Sequence, residues 1–190
     1  MTLQRVGLCA ICLLVLGSGL VAQDFKSEVF GGYQFTHFTR FEPSRSPTHV
    51  NGNGWNAAFT EHINHWLGVK ADFSGAYGND NNSGQNNGSV HMLSYTVGPV
   101  VSASTQSRFT PFAEALFGGY HETSSTFPSS GGFAMLAGGG IDATVGGHLA
   151  VRAVQVDWMY LNNNSPRGQG LPAQNSKSNV RISTGIIFRF

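Results

Sequence analysis

Charge is scarce in this sequence. Asp, Glu, Lys and Arg make up 11% of the 190 residues, where a soluble domain carries about 25%. That excludes a highly charged disordered chain. A formal net charge of +1 leaves no excess for the concentrated basic face that nucleic acid requires. Cysteine is absent after residue 12: Cys9 and Cys12 are the only two, so neither disulfides nor thiolate metal sites can hold the rest together. Leu8 and Ile11 precede them, not the small residue that lipid attachment favours, so no lipid anchor is expected. Long apolar runs are missing too. Val6 to Leu20 follows a short basic leader, Met1 to Arg5, and is shorter than the roughly 20 residues of a membrane-spanning helix. It reads as an export signal, residues 1–22, cleaved near Leu20-Val21-Ala22. Residues 23–190 are left as one domain, and no stripe of helical period runs through them.

What is abundant is glycine, 25 residues, together with aromatic side chains at 12%, and the pattern that recurs is alternation. Val29, Tyr33 and Phe35 oppose Glu28, Gln34 and Thr36; Trp55, Ala57 and Phe59 oppose Asn56 and Thr60. Leu67, Val69, Ala71 and Phe73 oppose Gly68, Lys70, Asp72 and Ser74, and Leu93, Tyr95, Val97 and Val101 oppose Met92, Ser94, Thr96 and Gly98. Pro111, Ala113, Ala115 and Phe117 oppose Glu114, while Phe133, Met135, Ala137 and Ile141 oppose Asp142. The seventh stretch sets Leu149, Val151 and Ala153 against Arg152 and then slips parity, so that Gln155 and Asp157 fall on the oily side unless a bulge near Ala153-Val154 restores the pattern. The eighth sets Val180, Ile182, Ile186, Phe188 and Phe190 against Arg181, Ser183, Gly185 and Arg189, with Thr184 and Ile187 breaking the pattern. Period-two alternation of this kind marks strands with one apolar face.

The connections alternate as well. Residues 40–53, 78–88, 121–132 and 162–178 read as long loops; 61–65, 102–108 and 143–148 read as tight turns. Long loops at one end and short turns at the other predict an all-β fold, an eight-stranded antiparallel up-and-down transmembrane β-barrel with both termini periplasmic. Arginine or lysine facing lipid at the bilayer midplane costs about 2–4 kcal/mol. The assigned parities place Lys26, Glu28, Lys70, Asp72, Glu114, Asp142, Arg152, Arg181 and Arg189 on the inner face, and the bulge adds Asp157. These ten are expected to form a paired lumen network, so Val69→Arg should harm assembly far more than Ser74→Arg. Two aromatic belts are expected: Phe25, Trp66, Phe109 and Phe190 by the turns, and Phe35, Trp55, Tyr77, Phe133, Trp158 and Tyr160 by the loops. The inverse fold, a soluble lipocalin-like barrel, would crowd those aromatics into the interior.

The last eight residues, STGIIFRF, run polar, any, Gly, any, any, hydrophobic, any, aromatic. Carried by Ser183, Gly185, Phe188 and Phe190, this pattern resembles the C-terminal signal by which outer-membrane barrels are recognised by their assembly machinery. Residues 23–190, with RFTPFAEALFGG, AGGGID and the Arg152 to Tyr160 stretch, resemble the small outer-membrane barrels grouped with the transmembrane domains of OmpA and OmpX. The resemblance implies export to the outer membrane of a Gram-negative-type bacterium. Its implied partners are outer-membrane lipids, lipopolysaccharide and the assembly machinery, with the chain a monomer. No peptidoglycan-binding segment follows the barrel, so no cell-wall tethering is expected.

Function is expected at the surface, a structural or adhesion-type role through the polar loops. A narrow passive channel through the charged lumen is the alternative, and a lipid-modifying enzyme the third reading. No catalytic group, metal or cofactor is expected. Asn79 to Gly84 opens like a calcium loop but has Val90 where the closing Glu belongs. His62 and His65 are too few for a metal site. His121 and Glu122 near Ser124 and Ser125 lack the ordered geometry of a nucleophile and its base.

Overall fold

The computed structural model describes residues 27–40, 48–80, 88–103, 108–124, 129–163 and 178–190. They form eight strands: β1 Ser27–Arg40, β2 Thr48–His62, β3 Leu67–Asp80, β4 Gly88–Ser102, β5 Phe109–Ser124, β6 Ser130–Thr144, β7 Leu149–Asn163 and β8 Asn179–Arg189. Each pairs antiparallel with its sequence neighbour, and β1 closes on β8, giving one barrel in the order of the chain. No helix among the described residues is long and apolar enough to cross a membrane.

The assigned parities hold. Val29, Tyr33, Trp55, Phe59, Val69, Phe73, Leu93, Val97, Phe117, Ile141, Ile182 and Ile186 all point outward and are exposed. Lys70, Asp72, Glu114, Asp142, Arg152, Asp157 and Arg181 point inward and are buried. The lipocalin-like alternative, which needs the oily faces inside, is thereby overturned. The parity slip in β7 is a bulge. Ile141 pairs with Val154 and Asp142 with Arg152, so Ala153 is the extra residue that returns Gln155 and Asp157 to the interior.

Two expectations are corrected. Pairing continues well into the segments read as long loops: β1 runs to Arg40 and β2 starts at Thr48, β5 runs to Ser124 and β6 starts at Ser130. These extensions carry polar residues on both faces, as at His37, which pairs with Asn51. Backbone hydrogen bonds alone propagate a strand where no apolar face is required. Ser74 is the second correction. It is fully buried, its hydroxyl 2.7 Å from that of Ser94 and 3.4 Å from Arg181. An arginine there would have no room and would meet a like charge, so Ser74→Arg is expected to be as damaging as Val69→Arg.

The turns explain themselves locally. In 63–66 the Asn64 side-chain oxygen accepts from the backbone N–H of Trp66 at 3.0 Å and of Leu67 at 2.8 Å, a side chain mimicking a backbone turn. At the same end of the barrel Ser27 and Phe190 exchange both backbone hydrogen bonds at 2.9 Å. Both ends of the described barrel therefore lie beside the short turns. Trp66, Phe109 and Phe190 are exposed near that end, and Trp55, Tyr77, Phe133 and Trp158 near the other, with Trp55 donating to the Tyr77 hydroxyl at 3.3 Å. Tyr33 and Tyr95 join the loop-side belt, whereas Phe35 and Tyr160 are only half-exposed. Phe25 lies outside the described residues.

Candidate functional site

The interior is stacked in three layers. Nearest the turns, Phe30, Ala58, Ala150 and Ile187 form a small apolar cluster. Nearest the loops, Ala76, Met92, Leu116, Tyr120, Ala134, Leu136, Met159 and Leu161 form a larger one, with Phe38 packed against it. Between them lies the charged layer.

Arg181 is its centre. The guanidinium donates to Asp72 on β3 at 2.7 and 3.3 Å and to Asp157 on β7 at 2.8 and 2.7 Å, so it bridges the lumen from β8 to two other strands. Its planar fork suits two carboxylates at once. Lys70 donates to Glu114 at 2.8 Å and approaches Asp72 at 3.8 Å. Arg152 holds Asp142 through two bonds of 2.8 and 2.9 Å. One neutral side chain ties these groups together. The Gln155 amide oxygen accepts from Arg152 at 2.7 Å and from Lys70 at 3.4 Å, while its nitrogen donates to Glu114 at 3.0 Å and Asp157 at 2.7 Å.

Glycine makes the room. A Cβ on Gly32 would lie 2.8 Å from the Phe30 ring, and one on Gly140 2.9 Å from the Phe112 ring. Each ring therefore rests on a bare glycine, and Arg152 stacks between them, 4.6 Å from the Phe30 centroid and 4.3 Å from that of Phe112. The apolar and charged layers thus meet through cation–π contacts that let a buried cation sit against aromatic faces.

Of the ten residues expected in the lumen network, seven meet in this layer. Glu28 and Arg189 pair at 2.7 Å on the turn-side rim, their side chains mostly buried, with His62 at 3.4 Å from Glu28. Lys26 lies outside the described residues. Sequence reasoning turned Gln155 inward together with Asp157 but gave it no part in the network, because it counted charges alone; it missed both apolar clusters. Of the C-terminal motif, Phe188 and Phe190 face outward and are exposed, while Ser183 is buried and Gly185 lies opposite Gly32 at the seam where β8 meets β1.

Among the described residues no group of three or more His, Cys, Asp or Glu is placed to hold a metal ion. His121 is exposed on β5 opposite Leu93 and Gly131, and Ser125 lies outside the described residues. Most of the calcium-like stretch, from Asn81, also lies outside them.

The sequence matches no protein-family model and none of the curated proteins. Solved structures do match. The attachment invasion locus protein Ail of Yersinia pestis superimposes with a TM-score of 0.56 at 16% identity, over 88% of this chain and 100% of Ail. Neisserial surface protein A superimposes with a TM-score of 0.63 at 11% identity, over 87% of this chain and 97% of that one. Ail has also been solved in complex with the heparin analogue sucrose octasulfate. The chain has the fold of the small eight-stranded outer-membrane barrels. Within that fold, the paired interior and the apolar exterior described above belong to this barrel's own residues.

Proposed function

We propose that the protein is a monomeric outer-membrane barrel, oriented with both ends of the barrel periplasmic, that acts through its loop end and not through its lumen. The observation that carries this reading is the plugged interior. An ion crossing from end to end would have to pass Leu116, Leu136 and Met159, all fully buried, and then a layer whose charges already bond one another. Eight strands enclose only enough space for side chains, and here the side chains fill it. The exterior supports insertion, since the outward faces of the described strands carry no charge except Glu61, which is exposed at the turn-side end of β2. Strands β1–β7 span 14 to 16 residues, whereas about 9–11 cross a bilayer. The excess would project from the membrane at the loop end.

An adhesion-type role fits that projecting end. Two proteins of the same fold carry names of surface function, and Ail binds a sulfated glycan analogue. No enzymatic step is part of this reading. The test is attachment of bacteria expressing the barrel to cultured host cells and to immobilised heparin, with residues 81–87 and 164–177 replaced by short turns. Loss of attachment with the barrel still folded supports the reading, and unchanged attachment overturns it. The purified barrel in a planar lipid bilayer is expected to stay silent; reproducible conductance steps would establish the channel instead.

Insertion has its own test. Val97 faces outward between Ala71 and Phe117, well away from either end of the barrel. Val97→Arg is expected to cost about 2–4 kcal/mol and to deplete the protein from the outer-membrane fraction, whereas Ile63→Arg, in an exposed turn, should cost at most about 1 kcal/mol. Equal tolerance at the two sites would sink the membrane reading.

A further inference from the structure

The charged layer does not balance. Its buried cations are Lys70, Arg152 and Arg181; its buried carboxylates are Asp72, Glu114, Asp142 and Asp157. Three positive charges face four negative ones among the described residues, and the Glu28–Arg189 pair on the rim cancels itself. Apolar clusters above and below keep bulk solvent from screening the difference. A buried charge without a counter-charge is not stable in such surroundings.

The geometry shows where the surplus lies. Asp72 and Asp142 each face an arginine through both carboxylate oxygens. Asp157 uses only Oδ2, which accepts from Arg181 and Gln155, while Oδ1 is buried with no hydrogen-bond partner. That free oxygen lies against Gly138: a Cβ there would be 2.3 Å from it, 2.2 Å from the Val156 carbonyl oxygen and 2.6 Å from Asp157 Cα, so the strands meet here with no room for a side chain. Gly138 pairs with Asp157 on one side and with Glu114 on the other. Two carboxylates thus flank one bare glycine, and the Gln155 amide draws them toward the same point by donating to both. Water could satisfy other orphan atoms of this layer, such as Gln34 Oε1, Asn56 Oδ1 and the Thr96 hydroxyl, but a neutral molecule leaves the charge uncorrected.

We propose that the lumen binds one monovalent cation at the unpartnered Oδ1 of Asp157, beside Glu114. A single missing charge selects a monovalent ion, since a divalent ion would leave the layer equally unbalanced with the opposite sign. Either an alkali ion or a proton on the carboxylate pair supplies that charge. The two sources share one chemistry, and both leave the layer neutral.

The purified protein is refolded from urea separately in sodium chloride and in choline chloride at equal ionic strength, each from pH 6 to 9, and thermal unfolding is followed by tryptophan fluorescence. If the ion is sodium, the midpoint at pH 9 is expected to be at least about 5 °C higher in sodium than in choline. If it is a proton, the midpoint should fall by a similar amount from pH 6 to 9 in both salts. In that case the bound form is the stable one, and its stability is lost as the pH rises. Asp157→Asn makes the layer neutral without a ligand and should abolish whichever dependence the parent shows. Every other titratable group stays in place in that variant, so a response it abolishes belongs to this site. Should Asp157→Asn fail to refold, Glu114→Gln removes the same charge and keeps bonding capacity toward Lys70 and Gln155. A parent insensitive to both salt and pH overturns the proposal, as does a neutralised variant that keeps the parent's response.

Discussion

Replacing Arg181 with methionine is expected to cost about 3–5 kcal/mol, the penalty for removing one partner of a buried ion pair. The side chain is fully buried and makes charge-assisted bonds to Asp72 and Asp157, so its loss strands two carboxylates from opposite parts of the wall. Their mutual repulsion then adds to the desolvation that Arg181 had offset. The urea midpoint of the refolded barrel should drop with the slope unchanged, because the surface exposed on unfolding is the same. Arg181→Lys should fall between, since an ammonium cannot span two carboxylates with a planar fork. The triple change Arg181→Met, Asp72→Asn, Asp157→Asn should recover much of the loss by removing the stranded charges along with their partner. An Arg181→Met barrel as stable as its parent would mean that the charged layer merely occupies space.

The exterior was legible in the sequence because it obeys one strict rule. A strand that presents an apolar face outward cannot carry charge there, so every Lys, Asp or Arg in a regular stretch reports its own parity. Asp157 broke that rule on a simple count and so pointed to a bulge near Ala153-Val154, which the strand pairing places at Ala153. The interior obeys no such rule. A filled lumen accepts Met92, Leu116 and Met159 as readily as Ser94 or Asp72, so the inward parity holds no signal separating plug from network. Phe112 shows the limit: the parity of Pro111, Ala113 and Glu114 turns it inward, but nothing in the pattern says that its ring meets Arg152 and Lys70 rather than an apolar neighbour. The strand extensions past Phe38 and Asn53 were hidden for a related reason: the ladder there is held by backbone bonds, which leave no mark on side-chain pattern. The role of individual glycines was equally out of reach. Whether a glycine holds a ring or merely bends a strand depends on the residue across the sheet, and that register is a property of closure.

Adjacent glycines make the sharpest test of that closure. Gly31 and Gly32 stand side by side in β1, yet a Cβ on Gly31 would meet nothing within 4 Å, while one on Gly32 would lie 2.1 Å from the Thr184 carbonyl oxygen and 2.8 Å from Gly185 Cα. Both obstacles are backbone of β8, the strand that closes the barrel, and neither can move without parting the seam. The Phe30 ring fills the remaining space at 2.8 Å, and Arg152 sits over that ring, 4.6 Å from its centroid. Gly32→Ala is therefore expected to cost about 3 kcal/mol, the upper end for overpacking, and to lower the yield of folded, heat-modifiable barrel. Gly31→Ala should be neutral or slightly stabilising, because alanine restricts the unfolded chain where the folded one has room. Both variants lose one glycine from the same dipeptide, so propensity and composition change equally and only the facing differs. If the two behaved alike, β1 and β8 would not meet in the register that sets Gly32 against Gly185, and the stack of Phe30 on Arg152 would lose its footing with it.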